Sequence, residues 1–319
     1  MSESRFVMRN SRNRDQKAVV TGASGFIGQA LVAHLRLGGW QVVAVDRNPF
    51  PDAAQPAIAA DVAEPGALAR VVDERTTIFH LAASADVAAS VASPRRDFDN
   101  TFRGVFEVLE AAREVNCRVI FPSTASIFDA SNQLPLLERA FPRPSSPYAA
   151  GKLGGEAYCH AYHRSYGLDV RIARLFSVYG PGMYRFAIHD LIRKIQANPE
   201  EIELLGDGNQ VRDYLYVDDA VRGLEMIATE AEPGEEYNLA SGVPVRLRDL
   251  ARTIAELMGR PNIRIVPTGR SFPGDTARWF ADISKIRTLG FEPGMDFRTG
   301  LLRTIAALVP ASGELVATR

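Results

Sequence analysis

The sequence predicts an α/β fold in which a doubly wound parallel sheet is joined to a smaller, mixed α/β domain. Short apolar runs alternate with helical stretches, an order typical of parallel strands connected by right-handed crossovers. Three glycines stand directly after the first apolar run, where a strand would turn into a helix. A chain of 319 residues that is 46% hydrophobic can bury the core of one large domain and of a smaller companion.

The glycine cluster predicts a turn that binds the phosphates of a dinucleotide, as in a Rossmann-type sheet. The apolar run that begins at Lys17 would form the first strand. Gly22 allows backbone angles that a side chain would forbid, Gly25 lets the main chain approach a pyrophosphate, and Gly28 lets the next helix lie close to the strand. The phosphates would meet the N–H groups at the positive end of that helix. Glycines also cluster in ordinary turns, so the motif depends on its surroundings.

The second predicted strand, Gln41–Asp46, favours NAD as the dinucleotide. It ends in a carboxylate 18 residues after Gly28, close to the spacing of about 20 at which an acidic side chain binds a ribose 2′-hydroxyl. A 2′-phosphate would be repelled by Asp46, although the adjacent Arg47 could attract one.

Two further strands continue the parallel pattern. They are expected at 57–60 and 77–80, with a helical stretch at Gly66–Val72 between them. Asp61 would either contact the adenine or cap that helix, and small residues after the fourth strand would let the backbone pass close to a ribose. The predicted cofactor contacts of this half are Gly22, Gly25, Phe26, Ile27, Gly28, Asp46, Arg47, Asp61, Val62, Leu81, Ala82 and Ala83.

A hydroxyl-rich strand end and a Tyr–Lys pair indicate the chemistry. After a long helix predicted at Pro94–Val115, the strand that begins at Arg118 ends in Ser123–Ser126, at the edge where open α/β sheets bind ligands. Tyr148 and Lys152 stand four residues apart on the next predicted helix and therefore share one face. With nine tyrosines and four lysines in the chain, only about 0.1 such pairs are expected by chance.

The Tyr148–Lys152 pair fits acid–base catalysis. A phenol with a pKa near 10 is a poor base at neutral pH unless a cation stabilises its phenolate, and Lys152 and the positive nicotinamide of NAD would do so. Tyr148 would take a proton from a substrate hydroxyl while hydride leaves the same carbon, and Thr124 would hold that hydroxyl in line. The alternative is an exposed pair on a solvated helix face.

Composition and charge exclude other classes of function. The 37 basic and 38 acidic residues are interspersed and give a net charge of −1, so no binding to nucleic acid or to a membrane is expected. No run of 18 apolar residues occurs. Cys117 and Cys159 are too few for a disulfide framework or a zinc cluster, and they are expected to be buried thiols in a reducing cytoplasm. Residues 1–16, polar and Arg-rich, are expected to be a disordered lead-in.

These motifs, in this order, resemble the extended short-chain dehydrogenase/reductase family, and more narrowly its NAD-dependent epimerase/dehydratase group, which acts on nucleotide sugars. The resemblance extends over about 17–304. It implies that Thr124 and Tyr148 are catalytic and that Lys152 orients the nicotinamide ribose and lowers the pKa of the tyrosine. It also implies that Asn100 is a helix residue near the active site.

The resemblance further implies how the chain is divided. Residues 17–176 would form the NAD-binding domain and 177–319 mainly the substrate-binding domain, while a segment at about 214–240 would return to the NAD-binding half. A homodimer would form through the helices that contain Phe102 and Tyr148.

On the substrate side, the resemblance comes with one departure at Ser177. Sugar epimerases usually carry Asn there, and a hydroxyl occurs in some relatives that act on uronic acids. Arg185 could then meet a sugar carboxylate, or it could be an ordinary surface arginine. Arg212 matches the arginine that binds the diphosphate.

A second departure lies at Phe272, where the family often has an arginine for the diphosphate, so Arg270 or Arg278 would have to substitute. Trp279 stands where epimerases place a residue that limits the size of the sugar, although core packing would also suit it. The predicted substrate contacts are Ser84, Thr124, Ala125, Ser126, Ser177, Arg185, Arg212, Arg278 and Trp279, and no metal site is predicted.

The residues after Thr124 favour one reaction of this group. Dehydratases need acidic residues there to remove a hydroxyl, and this chain has Ala125 and Ser126. A 4-epimerase needs only the catalytic trio, tightly bound NAD and room for a keto sugar to rotate. The expected activity is C4 epimerisation of a UDP-hexose or UDP-uronate through a 4-keto intermediate. The alternatives are an NAD(P)-dependent nucleotide-sugar reductase or dehydrogenase, a 4,6-dehydratase, and a non-catalytic NAD(P)-sensing module.

Overall fold

The computed structural model describes residues 16–52, 54–270 and 278–309. The strands are β1 (Lys17–Thr21), β2 (Gln41–Asp46), β3 (Ala57–Ala59), β4 (Thr76–His80), β5 (Arg118–Thr124), β6 (Val170–Leu175), β7 (Ser177–Tyr179), β8 (Glu201–Leu204), β9 (Val211–Tyr216), β10 (Glu236–Leu239), β11 (Pro244–Arg246) and β12 (Arg264–Pro267). The expected lead-in, apart from its last residue, and the departure at Phe272 lie outside the described residues.

Ten α-helices are present among the described residues. They are α1 (Phe26–Leu37), α2 (Val87–Ala92), α3 (Pro94–Phe98), α4 (Gly104–Val115), α5 (Pro147–Tyr166), α6 (Phe186–Ala197), α7 (Val217–Glu230), α8 (Leu247–Leu257), α9 (Ser284–Arg287) and α10 (Phe297–Leu308). A turn of π-helix at Asp99–Arg103 joins α3 to α4, so the long helix predicted at Pro94–Val115 is present with a widened turn inside it.

The main sheet has seven strands in the order β10-β6-β5-β4-β1-β2-β3, and every neighbouring pair is parallel. This order confirms the predicted doubly wound, Rossmann-type sheet. Helices cover both faces, because strands buried on two sides need apolar partners on each. Leu31 of α1 and Leu224 of α7 lie in the core of one face, and Val105 of α4 and Tyr162 of α5 in that of the other.

The stretch predicted as a helix at Gly66–Val72 is a series of turns, and that prediction was wrong. Gly66 has a φ of +73°, and the bonds that follow it span three residues, from Ala69 N–H to Gly66 O and from Val71 N–H to Leu68 O. Leu68 and Val72 are buried at the expected helical spacing. The apolar pattern therefore identified the buried side chains correctly, although a left-handed glycine at its start does not continue a helix.

Two segments that follow residue 176, α7 and β10, return to the main sheet. α7 packs against α1, and β10 pairs in parallel with β6 at the edge of the sheet. Gly223 of α7 lies so close to Leu239 of β10 that a side chain at 223 would collide with it. The second region is therefore interleaved with the first.

The smaller region contains two short sheets and a core of its own. β9 lies between β7, which is parallel to it, and β11, which is antiparallel, while β12 pairs with β8. α6, α8 and α10 supply most of the helical side of this core. The mixture of strand directions confirms the predicted mixed α/β character of this region.

No helix of the described chain is both long enough and apolar enough to cross a lipid bilayer. Cys117 and Cys159 are free thiols and both are buried, as predicted. The described residues contain no cluster of three or more potential metal ligands.

Candidate active site

Gly22 follows β1 and packs against the chain that leaves the neighbouring strand, β4. Its φ is +67°, and a Cβ at this position would lie 2.6 Å from the Ala82 nitrogen. β1 and β4 stay paired up to Thr21 and His80, so both strands end at this point. Gly25 then precedes α1 and makes no side-chain cap. The positive end of α1 is therefore available to a phosphate.

A cleft of about 420 Å³ extends from this turn. One wall is formed by the carboxyl ends of β1, β2 and β4, and the other by the loop at 183–186. The predicted cofactor residues on its lining are Gly22, Gly25, Phe26, Ile27, Gly28, Asp46, Arg47, Asp61, Val62, Leu81, Ala82 and Ala83. Thr124, Tyr148 and Lys152 do not line this cleft.

Asp46 is fixed at the end of β2 by backbone donors. Its carboxylate accepts hydrogen bonds from the N–H groups of Ser24, at 3.0 Å, and Asn48, at 2.8 Å. A carboxylate has about four lone-pair positions, so two such bonds leave acceptor capacity for ribose hydroxyls. The glycine turn and the carboxylate thus lie in one cleft, as the spacing in the sequence predicted.

Arg47 is held by two side chains beside Asp46. It donates a hydrogen bond to Asn100 Oδ1 at 3.0 Å, and its Nη1 lies 3.5 Å from Asp61 Oδ2. Asn100, expected near the active site, therefore lies beside Arg47 on the cleft wall. Asp61 also accepts the N–H of Ala63 at 3.0 Å, so it caps a turn and lines the cleft at once.

The start of α5 sets the position of the Tyr–Lys pair. The Ser146 hydroxyl accepts the N–H of Ala149 at 3.2 Å and Pro147 occupies the first turn, so the helix begins directly before Tyr148. Tyr148 is 9% exposed and Lys152, one turn later, is 4% exposed. This burial excludes the alternative of an exposed pair on a solvated helix face.

Tyr148 is a buried phenol in contact with Thr124. Burial raises the pKa of Tyr148 to about 12, and the hydrogen bond between Tyr148 and Thr124 acts against this rise. Two charges also act on the phenol: the Asp97 carboxylate raises its pKa and the Arg185 guanidinium lowers it. With these neighbours alone the tyrosine is protonated at neutral pH, and it needs more positive charge nearby to act as a base.

Lys152 is bound to the neighbouring strand. Its ammonium donates a hydrogen bond to Pro122 O at 2.8 Å and lies 4.8 Å from the centre of the Phe121 ring. Burial lowers the pKa of Lys152 to about 8. The groups that lower the pKa of Tyr148 in this arrangement are Thr124 and Arg185.

The end of β5 presents hydroxyl groups and no acid. Thr124 Oγ1 accepts the N–H of Ser126 at 3.1 Å and donates to its hydroxyl at 3.2 Å. Ala125 is 1% exposed and packs into the core, so its side chain offers nothing to a ligand.

Arg185 connects the cleft to Tyr148. It lines the cleft opposite Gly22, and its charge reaches the Tyr148 phenol. The guanidinium lies over the rings of Tyr184, at 5.3 Å, and Phe186, at 4.8 Å, and Phe186 has a φ of +73°. A left-handed phenylalanine is strained, and such strain clusters at functional sites.

The remaining predicted substrate residues form a second group, away from the glycine turn. The Arg212 guanidinium lies 4.2 Å from the centre of the Trp279 ring. Beside them, the backbone of Arg278 pairs with that of Val211 in an isolated parallel β-bridge. Trp279 also packs against the core that contains Ala125, so both uses expected of this tryptophan are compatible with its position. Ser177 lies in β7 opposite β9, and no residue of this group lines the described cleft.

Asp97 and Thr101 are residues of the site that the sequence reasoning missed. Asp97 is 3% exposed, and Ser84 and Thr101 hydrogen-bond its side chain. Ser84, a predicted substrate contact, is thereby tied to this acid. The signal was present in the helical pattern, because 97, 101 and 105 fall on the buried face where an apolar residue is expected.

Comparison with known proteins identifies the family. A sequence model of the NAD dependent epimerase/dehydratase family matches residues 18–240. The chain belongs to this family. It is 29% identical over 304 residues to the dTDP-glucose 4,6-dehydratase of Streptomyces antibioticus, a match that covers 90% of each chain.

Two solved structures have the same fold. UDP-glucose 4-epimerase of Thermus thermophilus, in complex with NAD, is 27% identical and has a TM-score of 0.84, covering 93% of this chain and 100% of that one. MoeE5 in complex with UDP-glucuronic acid and NAD is 32% identical and has a TM-score of 0.83, covering 91% of this chain and 98% of that one.

NAD is the cofactor of this epimerase/dehydratase protein, as the sequence predicted, and the cleft fits it. The uncapped helix end suits a pyrophosphate, Asp46 suits a ribose, and the small residues Gly22 and Ala82 line the cleft. The relatives include both dehydratases and 4-epimerases, so membership of the family leaves the choice between the two reactions to the site itself.

Proposed function

We propose that this protein is a nucleotide-sugar 4-epimerase that works with retained NAD bound in the cleft described above. The observation that carries the proposal is the end of β5. Thr124 contacts Tyr148, and the two residues after it are a buried alanine and a serine whose hydroxyl is bonded to Thr124. This arrangement can move a proton at a sugar hydroxyl, but it has no acid next to Thr124 to expel a second hydroxyl.

Each residue of the trio has a separate task in this proposal. The Thr124 hydroxyl holds the sugar C4 hydroxyl in line, and the Tyr148 phenolate takes its proton and later returns it. Lys152, buried and cationic, orients the cofactor ribose and adds positive charge to the site. Bound NAD would supply the hydride chemistry at C4, first as acceptor and then, as NADH, as donor.

Product analysis tests the proposal. The purified protein would be incubated with UDP-glucose, UDP-galactose, UDP-glucuronate, UDP-galacturonate and dTDP-glucose without added cofactor, and the sugars followed by proton NMR. The proposal expects one pair of C4 epimers to interconvert to an equilibrium mixture. Failure on the whole panel by protein that contains NAD would contradict it, and stoichiometric consumption of NADH in a parallel incubation with added NADH would indicate the reductase.

A 4,6-dehydratase is the second candidate, favoured by the similarity to the Streptomyces antibioticus enzyme. The same NMR experiment separates the two, because a dehydratase converts dTDP-glucose irreversibly to a 4-keto-6-deoxy sugar. Appearance of the new methyl signal at C6 would replace the epimerase proposal with this one. The acid of the site, Asp97, lies on α3 and not after Thr124, which is the reason we place dehydration second.

A uronic acid is the favoured substrate within this proposal. Arg185 lines the cleft, acts on Tyr148 and is 33% exposed, and its guanidinium lies 3.9 Å from the Asp86 carboxylate. A sugar carboxylate at Tyr148 would compete with Asp86 for this guanidinium. MoeE5, the similar structure, was solved with UDP-glucuronic acid. Arg185→Ala should reduce kcat/KM for a UDP-uronate by about tenfold or more beyond the reduction for a UDP-hexose, which is also affected because Arg185 lowers the pKa of Tyr148. Arg193→Ala, an exposed arginine on α6, is the matched control.

The diphosphate would bind on the other side of the sugar, at Arg212. A guanidinium supported by an aromatic ring suits paired phosphate oxygens, and Trp279 beside it would limit the size of the sugar. Arg212→Lys should raise KM with little change in kcat, since a lysine keeps the charge but not the planar fork.

We also propose that the protein is a homodimer. Rings on one side of α3, α4 and α5 form a continuous series in which Phe98 is 54% exposed, while Phe106 and Tyr158 are each 39% exposed. An apolar aromatic surface of this kind is typical of protein interfaces. Phe98→Ser combined with Phe106→Ser should shift the mass in analytical ultracentrifugation to that of a monomer, and a wild-type protein that is already monomeric would contradict the proposal.

A further inference from the structure

Asp97 belongs to a segment that packs against the helix carrying Tyr148 and Lys152. It belongs to α3, and Thr101 follows one turn later in the π-helical turn. A Cβ at Gly151 would lie only 3.4 Å from the Thr101 methyl group. The segment that carries Asp97 therefore packs tightly on α5 beside Tyr148 and Lys152.

The carboxyl group of Asp97 is incompletely satisfied. The hydroxyl groups of Ser84 and Thr101 hydrogen-bond it, and the Ser84 N–H donates to Thr101 Oγ1 at 3.3 Å, which closes a small network. Asp97 Oδ1 is buried and has no hydrogen-bond partner among the described residues. A buried, half-satisfied carboxyl costs stability, so a group kept in this state calls for a functional explanation.

The other charged or titratable groups around Lys152 are already neutralised. Glu156, on α5, forms two hydrogen bonds to Arg174, at 3.0 and 2.7 Å. Burial raises the pKa of the Cys159 thiol, so it is neutral, and burial lowers the pKa of His80, on β4, to about 3, so the ring is neutral too.

Asp97 differs from these groups because its described partners are hydroxyls. Its charge raises the pKa of Lys152 and that of Tyr148, so the carboxyl acts on both. Burial raises the pKa of Asp97, while Ser84, Thr101 and Lys152 lower it. Of the groups that face Lys152 in the described chain, Asp97 is thus the carboxylate that lacks a basic partner of its own.

We propose that Asp97 is a positioning residue that keeps Lys152 protonated, and that Ser84 and Thr101 hold its carboxylate in the charged form. The role of Asp97 in catalysis rests on the proposed function, in which Lys152 must be a cation to orient the cofactor ribose. The electrostatic part concerns the chain alone and holds whatever the substrate is.

The sign of the effect follows from the charges. Loss of the Asp97 charge removes an attraction that favours the ammonium form of Lys152, so the lysine would release its proton at a lower pH. The same loss removes a repulsion on the Tyr148 phenolate, so the phenol would also ionise at a lower pH. Both limbs of a pH–rate profile should therefore move toward acid, whereas damage to packing alone would lower the rate without moving them.

Direct titration of Lys152 tests this without any activity. The chain has four lysines, so the full-length protein labelled with ¹³C-lysine gives few signals, and Lys152→Met assigns the one of interest. Asp97→Asn keeps the shape and removes the charge, and Asp99→Asn removes the same charge from an exposed position two residues away. We expect the Lys152 midpoint to fall by about one pH unit in Asp97→Asn and to stay unchanged in Asp99→Asn.

A second variant covers the case in which Asp97→Asn fails to fold. Thr101→Val removes a hydroxyl that favours the charged carboxylate, so the midpoint of Lys152 should fall in the same direction by a smaller amount. An unchanged Lys152 midpoint in the folded variant would overturn the proposal. A protein that shows the shift but converts no nucleotide sugar would contradict the proposed function and leave this inference standing.

Discussion

Around Gly22 the site is built from backbone, whereas around Tyr148 it is built from buried ionisable side chains. At the cofactor end, N–H groups, a left-handed glycine and an Asp46 carboxylate held by backbone donors shape the cleft. At the other end, Tyr148, Lys152 and Asp97 have pKa values displaced by burial and by each other. Backbone groups bind the cofactor through the shape of the cleft, while the pKa values of buried ionisable groups can be shifted to suit a proton transfer. Substitutions at the two ends should therefore fail in different ways.

The largest effect is expected at the side-chain end, from Tyr148→Phe. The phenol hydroxyl is the proton acceptor in the proposed reaction, so kcat should fall by about 10³-fold while NAD content and melting temperature hardly change. Tyr166→Phe removes a hydroxyl from an exposed tyrosine at the end of the same helix and should leave kcat intact. A Tyr148→Phe enzyme with more than a tenth of the wild-type rate would break the comparison.

At the backbone end, Gly22→Ala should damage the fold and the cofactor site together. The new Cβ would meet the Ala82 nitrogen at 2.6 Å and the residue would be held at positive φ, so we expect a loss of at least about 2 kcal/mol in the free energy of unfolding. Gly167→Ala is the matched control, because Gly167 has a φ of +70° with no atom within 4 Å of the new Cβ. Urea unfolding of both variants separates the collision from the backbone cost, and equal losses would show that the contact with Ala82 is unimportant.

His80 lies where the two ends meet, and it makes stability depend on pH. Its Nδ1 shares a hydrogen bond of 2.9 Å with the Thr21 hydroxyl, and burial lowers its pKa to about 3 from an ordinary value of 6.5. Between these values the unfolded chain binds the proton and the folded chain does not, so stability falls as pH drops below 6.5. We expect a loss of about 2 kcal/mol from about pH 6.5 to about pH 5. His80→Asn should flatten this part of the pH profile of urea unfolding, and a slope equal to that of the wild type would refute the assignment.

The smallest effect is expected from Asp46→Asn, which changes recognition without changing chemistry. The amide keeps one acceptor but loses the charge, so NAD affinity should fall by about tenfold and the preference over NADP should narrow. Asp52→Asn, at an exposed carboxylate paired with Arg36, should leave the affinity unchanged in isothermal calorimetry. If the Asp46→Asn variant still binds NAD much more tightly than NADP, another residue must be responsible for that selectivity.

The motifs at both ends could be predicted from the sequence because their signals are local. Gly22 and Asp46 belong to a motif with fixed spacing, and Tyr148 and Lys152 are one helical turn apart. The helix expected at Gly66–Val72 failed for a local reason as well, since buried side chains at helical spacing also suit a series of turns. Periodicity reports which side chains are buried more reliably than how the backbone brings them there.

The charges at the other end could not be derived, because they depend on distant segments that meet only in the fold. Asp97 comes to Lys152 through the packing of α3 on α5, and Arg185 comes to Tyr148 from a loop beyond β7. The hydrogen bond from the Lys152 ammonium to Pro122 O is likewise a contact that no spacing in the sequence reveals.

The place of β10 at the edge of the main sheet has a consequence for biosynthesis. A ribosome that has released the chain only as far as residue 176 has made six of the seven strands, and β6 is left with a bare edge. Unpaired edges invite association with other chains. The main sheet is therefore complete only after Leu239 has left the exit tunnel. A truncated gene ending at residue 176 should yield inclusion bodies.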